Sequence, residues 1–282
     1  MLTRRTMLAA TAAAALGGHA AGKKSGLRIG VMDGCFKLEG KVEAVERAAA
    51  LGFEGLQITI GRARPGGELP LSNPGLQGAY FAASRRHKMP IGATYLDILH
   101  VNCLKNDELA KKWVSDGIEI TRKLDAQILM LVFFGKCALA NTNEQELDAV
   151  TAALKELAPA AEKAGVILGF ENTLPAETSA RVLDRVGSNA LKVYYDVGNA
   201  TNQGGYDAPK EIRWLGKDRI CQFHFKDRGY MGEGKVDFPA VMRAINEIGF
   251  TGYAMLETSA PSGNIENDLR RNLSFARKLL DA

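Results

Sequence analysis

Short apolar runs and amphipathic stretches alternate strictly from residue 27 to the end of the chain, and this alternation limits the fold more than any other feature. Apolar runs at 27–32, 55–60, 91–96, 128–133, 166–171, 192–196, 220–225 and 253–257 predict eight strands. Between and after them, 41–51, 76–87, 107–124, 144–164, 176–186, 209–215, 238–248 and 267–280 predict eight helices. In the first helix Val42, Val45, Ala48 and Ala49 share one face, the spacing of a helix with one buried side. Gly52, Gly165 and Gly249 stand where helices should stop. The strands are near-continuous apolar runs, as in parallel strands covered on both faces. Eight β–α units in one segment of this length predict an α/β fold, a (β/α)8 TIM barrel in a single domain spanning 21–282.

Residues 1–20 have a different character. Arg4 and Arg5 precede an Ala-rich apolar run, and Gly18 and Ala20 are small residues at a plausible cleavage point. This layout predicts a twin-arginine-type export signal and a periplasmic location. Removing the arginine pair with the signal lowers the net charge from +4 to +2. The basic residues of the whole chain are scattered, so composition does not favour a nucleic-acid partner. No apolar run in the body reaches the ~18 residues of a membrane helix, so no membrane partner is expected after signal removal. Cys35, Cys103, Cys137 and Cys221 match no zinc-ribbon spacing and are expected as free or buried thiols.

The carboxyl ends of barrel strands carry the chemistry. Predicted strands five, six, seven and eight end in, or carry, Glu171, Asp196, His224 and Glu257. A buried carboxylate without a partner is costly, and several at one rim point to a shared cation. Three carboxylates and one imidazole suit one divalent metal ion, Mn2+ or Mg2+, with Zn2+ or Co2+ as alternatives. Taken one at a time, each residue has a plainer explanation. Asp196 suits a helix cap, either Glu suits a lysine ion pair, and His224 suits a hydrogen-bonded core position.

Several motifs carry a family likeness. Gly169-Phe170-Glu171-Asn172, Tyr195-Asp196-Val197-Gly198-Asn199, Phe223-His224-Phe225-Lys226-Asp227 and the segment from Gly232 to Phe238 resemble the xylose isomerase-like TIM barrel superfamily, in its sugar phosphate isomerase/epimerase branch. The resemblance implies one divalent metal held by Glu171, Asp196, His224 and Glu257. It also implies that Glu171 and Glu257 act as the acid/base pair of a sugar isomerase or epimerase. Such an enzyme removes a proton beside a metal-bound carbonyl, giving an enediolate. The expected partner is a small carbohydrate or polyol, and homodimers are common in such families. Two positions depart from the pattern: many relatives have His where Asn199 stands and Glu where Gln57 stands. The endonuclease branch needs more histidines than His87, His100 and His224, and it has a His where this chain has Phe238-Pro239.

Substrate-binding candidates are Asn199, Lys226, Arg228 and His100. The plain alternative for Lys226 is an ion pair with Asp227, itself a weaker candidate. Asn172, Tyr95 and Phe134 are further positions near the predicted rim, and the segment 61–67 is a basic loop after strand two. Other reactions fit the same metal site. A lyase or dehydratase acting on a keto-inositol or a 3-keto-glycoside begins with the same proton abstraction. A non-catalytic binding protein and a nuclease are more distant alternatives.

Overall fold

The computed structural model describes residues 26–62 and 67–281. The expected export signal, and residues 63–66 of the basic loop, lie outside them. Eight parallel strands close into a barrel in chain order. They are β1 (Leu27–Met32), β2 (Leu56–Thr59), β3 (Ile91–Leu96), β4 (Ile128–Val132), β5 (Ile167–Glu171), β6 (Leu191–Asp196), β7 (Ile220–Phe225) and β8 (Gly252–Leu256). β8 closes on β1 with Val31 opposite Leu256. The outer layer is α1 (Glu43–Leu51), α2 (Pro74–His87), α3 (Glu108–Lys123), α4 (Glu144–Ala164), α5 (Ala176–Val186), α7 (Ala208–Arg219), α8 (Phe238–Glu247) and α9 (Ile265–Leu280). The single turn α6 (Val197–Asn199) follows β6. The chain is thus the expected (β/α)8 TIM barrel, in one domain.

Local chemistry explains the element ends. Asn73, Asp107, Asn143, Asp207, Asp237 and Asn264 each accept a backbone N–H in the first turn of the helix that follows. Such caps contribute about 1 kcal/mol each. The helix predicted to end at Leu215 runs on to Arg219, but Gly216 breaks it with φ +69°, a conformation only glycine adopts without strain. Inside the barrel, a Cβ at Gly30 or Gly92 would run into the Met255 side chain. These two glycines let Met255 pack inside the sheet.

Register places the rim. Asp196 pairs with His224 across β6 and β7, and Val132 pairs with Glu171 across β4 and β5. Glu257 lies one residue past β8, its N–H donating to the Phe225 carbonyl at 3.1 Å. Short 3-10 turns follow β1 (Asp33–Phe36), β3 (Asp97–His100) and β4 (Gly135–Cys137).

One expectation is corrected here. Cys103 and Cys137 are not thiols; they form a disulfide between the loops after β3 and β4. Their separation of 34 residues matches no motif, and only the barrel makes the two loops neighbours. Cys35 and Cys221 are free, and burial pushes both thiols up to about 12, which leaves them unreactive.

Asp33, fully buried at the end of β1, shapes the first loop. One carboxylate oxygen accepts the N–H groups of Thr59 (3.0 Å) and Gly40 (3.2 Å), and the other accepts the Tyr95 hydroxyl (3.1 Å). Burial outweighs these bonds and pushes its carboxyl up to about 6. The folded chain therefore holds this proton more tightly than the unfolded chain, and ionising Asp33 costs stability as pH rises. The expected penalty is about 3 kcal/mol, developing between about pH 4 and pH 6. Unfolding free energies of wild type and Asp33→Asn, compared across that range, should diverge by this amount against the wild type. A pH-independent difference would contradict the assignment.

Candidate metal centre

Glu171, Asp196, His224 and Glu257 come from the ends of four successive strands and meet at one point. One donor atom from each lies within 4.8 Å of the other three. His224 Nδ1 is 2.9 Å from Glu171 Oε1, 3.2 Å from Glu257 Oε2 and 3.7 Å from Asp196 Oδ2. Lys226 Nζ contacts Asp196 Oδ2 at 2.8 Å and Glu257 Oε2 at 2.7 Å. Glu171, Asp196 and His224 are buried, whereas 36 % of the Glu257 side chain is exposed.

The electrostatics follow from this crowding. Burial raises the Glu171 carboxyl above its usual range, more than His224 can offset. Desolvation works the same way on Glu257, but His224 and Lys226 prevail and hold it well below that range. Burial alone would make the imidazole of His224 a poorer base, yet Glu171 and Glu257 raise its pKa well above normal. Desolvation also opposes the charge on Lys226, and Asp196 and Glu257 overcome it. Three carboxylates against one ammonium leave a shortfall of two positive charges, the charge of one divalent ion. Asp196 Oδ2 is buried with only Lys226 Nζ against it at 2.8 Å and His224 Nδ1 at 3.7 Å, while Oδ1 accepts the Asn199 N–H at 2.8 Å. Three carboxylates and one imidazole, with one donor atom of each within 4.8 Å of the others, form a nitrogen/oxygen set that fits a hard or borderline divalent metal.

A buried polar network sets the histidine. Gln222 Nε2 donates to the Tyr194 hydroxyl (2.7 Å), which donates to Gln57 Oε1 (2.9 Å). The same Gln57 oxygen accepts His224 Nε2–H at 2.8 Å, and Gln57 Nε2 donates to Met130 Sδ at 3.3 Å. Held through Nε2, the ring turns Nδ1 to the carboxylates, where a bound cation would take the place of the Nδ1 proton. Fixing the distal nitrogen in this way orients a metal-binding histidine. Gln57, Tyr194 and Gln222 interrupt apolar strands, which was the available sequence signal. Gln57 drew notice only as a departure from the family pattern, and the other two were missed.

The site opens on a cavity of about 530 Å3. Glu171 and Glu257 line it, whereas Asp196 and His224 do not. Asn199, Lys226, His100, Tyr95 and Phe134 also line it. Asn199 Oδ1 accepts Gln203 Nε2 at 2.7 Å. Lys226 does not pair with Asp227; that carboxylate instead accepts the backbone N–H groups of Arg228, Gly234 and Lys235 and shapes the loop. Arg228 is exposed and outside the cavity lining. Asn172 is turned to loop construction, accepting Leu174 N–H at 2.7 Å and Ser179 Oγ–H at 3.1 Å. His100 Nδ1 lies 3.0 Å from Asp97 Oδ1, a bond that raises the imidazole pKa. Arg62, at the start of the basic loop, also binds the Asp97 carboxylate.

Residues 45–279 match the family model described as xylose isomerase-like TIM barrel. The chain is 25 % identical over 187 residues to the 2-epi-5-epi-valiolone 7-phosphate 2-epimerase of Actinoplanes sp., covering 65 % of this chain and 67 % of that one. It is 31 % identical over 140 residues to the "Probable L-ribulose-5-phosphate 3-epimerase" of Mycoplasma pneumoniae, an alignment spanning 45 % of each. The barrel superimposes on a D-psicose 3-epimerase crystal structure with a TM-score of 0.76 at 14 % identity, covering 91 % of this chain and all of that one. At that identity the likeness is one of fold.

If Gln57 sets the tautomer of His224, removing its amide should weaken metal binding without unfolding the barrel. Titration calorimetry with Mn2+ should show Gln57→Leu binding about 10- to 100-fold more weakly than wild type. Equal affinities would contradict the role given to Gln57.

Proposed function

The chain belongs to the xylose isomerase-like TIM barrel family, and from that premise we propose that it is a divalent-metal-dependent isomerase or epimerase of a carbohydrate or polyol. The observation that carries this reading is the division within the cluster. Asp196 and His224 lie behind the cavity wall, while Glu171 and Glu257 open on the cavity where a substrate would sit.

One divalent ion held by Glu171, Asp196, His224 and Glu257 would supply Lewis-acid stabilisation of the negative charge that develops on a substrate carbonyl oxygen. Mn2+ and Mg2+ are the favoured ions. The proton chemistry falls to the two glutamates. β5 and β8 flank the β6–β7 pair, so Glu171 and Glu257 approach a ligand in the cavity from different sides. One removes the proton from the carbon beside the carbonyl, leaving an enediolate, and the other returns a proton to the opposite face. That sequence inverts the carbon. Lys226, held against Asp196 and Glu257, adds a fixed positive charge at the same edge of the cavity. The names of the relatives, both epimerases of sugar-like substrates, agree with this chemistry.

Export to the periplasm belongs to the same proposal. It is supported by the paired arginines and apolar run of residues 1–20. A disulfide between two rim loops also suits an oxidising compartment.

Solvent-deuterium exchange into ketoses tests the acid/base pair. Wild type loaded with Mn2+ should incorporate deuterium beside the carbonyl. Glu171→Gln and Glu257→Gln should each slow this on the order of 10²- to 10⁴-fold, with metal content measured on the same samples. Wild-type exchange rates in both variants would contradict the assignment. Loss of a leaving group from the substrate would instead favour the lyase.

A further inference from the structure

We propose that the cavity wall facing the metal centre is a second binding subsite, shaped for an uncharged, hydroxyl-rich part of the substrate, and that this enzyme takes unphosphorylated sugars. This rests on the functional reading above and adds the class of sugar. The wall is built by the loops after β1, β3 and β4, in the half of the barrel opposite the strands that supply the four donors.

Three groups lining the cavity have unused hydrogen-bonding capacity, two on this wall and one, Thr258, in the loop after β8 beside Glu257. The first is His100. Its Nδ1 faces two acceptors, Asp97 Oδ1 at 3.0 Å and the Asp97 carbonyl at 3.1 Å, so this nitrogen carries the hydrogen. Nε2 has no partner among the described residues. The ring stacks on Phe134 with centroids 6.1 Å apart and planes 25° apart, which fixes its orientation. The second is Glu39, which lines the cavity, is exposed, and makes no ion pair or side-chain hydrogen bond among the described residues. The third is Thr258, 8 % exposed, which lines the same cavity and has a buried hydroxyl without a partner.

The chemistry of this set selects the ligand. A carboxylate only accepts hydrogen bonds, whereas Nε2 of the His100 ring and the Thr258 hydroxyl can accept or donate. Sugar hydroxyls both donate and accept and so can serve all three groups, whereas a phosphate ester presents acceptors and negative charge to Glu39. Among the described lining residues the one lysine is Lys226, already engaged by Asp196 and Glu257, and no arginine lines the cavity. Arg62, nearby, is held by Asp97. A phosphate here would meet the unpaired Glu39 with no free lysine or arginine among the described lining residues to offset it. The volume of about 530 Å3 falls within the ~300–1,000 Å3 typical of small-molecule pockets, which leaves space beyond the reacting carbons.

D-fructose and D-fructose 6-phosphate differ only in the group at issue. Titration calorimetry on Mn2+-loaded protein should show the parent sugar binding about tenfold or more tightly than its phosphate. Glu39→Gln should narrow that gap. Glu39→Gln and His100→Ala should each weaken fructose binding several-fold and leave Mn2+ affinity unchanged. The proposal is overturned if the phosphate binds as tightly as the parent sugar, if neither binds, or if both variants bind fructose like wild type. Deuterium exchange on the same samples reads the functional proposal separately. Phosphate discrimination without exchange would sink the epimerase reading and leave the subsite. Exchange without discrimination would do the reverse.

Discussion

Three carboxylates and one imidazole are forced together where β5 to β8 end, and they cannot remain there without added positive charge. Lys226 supplies one unit and sits against Asp196 and Glu257. The imidazole of His224 is driven toward its charged form by the same carboxylates. A divalent ion would meet the remaining demand and free Nδ1 to act as a ligand. Gln57 holds the opposite ring nitrogen in the protonated state that such ligation requires. The barrel imposes this arrangement by register, because Asp196 and His224 pair directly across neighbouring strands.

Much of the fold could be read directly because strands and helices announce themselves differently. Apolar runs of about six residues, closed by glycine or by a polar residue, marked every strand to within a residue or two. The helix predicted to stop at Leu215 shows how a local signal can be sound and still give a different boundary. Gly216 does interrupt the helix, and the chain then takes one further turn to Arg219.

The candidate donors were legible for the same reason, since a carboxylate straight after an apolar strand is conspicuous. What lay between elements was not. The Cys103–Cys137 bridge joins loops that only the closed barrel makes adjacent. Lys226 has a neighbouring carboxylate in sequence, Asp227, but that side chain is occupied by three backbone N–H groups, and the lysine turns to Asp196 and Glu257. The Gln57–Tyr194–Gln222 network joins β2, β6 and β7 across the barrel interior, and no linear spacing reveals such contacts. Asp97, His100 and Phe134 belong to this class too: their stacking and hydrogen bonds depend on two loops meeting above the sheet.

The most direct test is anomalous diffraction from crystals of the Mn2+-loaded protein, recorded at the manganese edge. The expected result is one peak per chain, in contact with Glu171, Asp196, Nδ1 of His224 and Glu257. No peak at that position, several peaks clustered there, or one peak bound by other side chains would contradict the central claim.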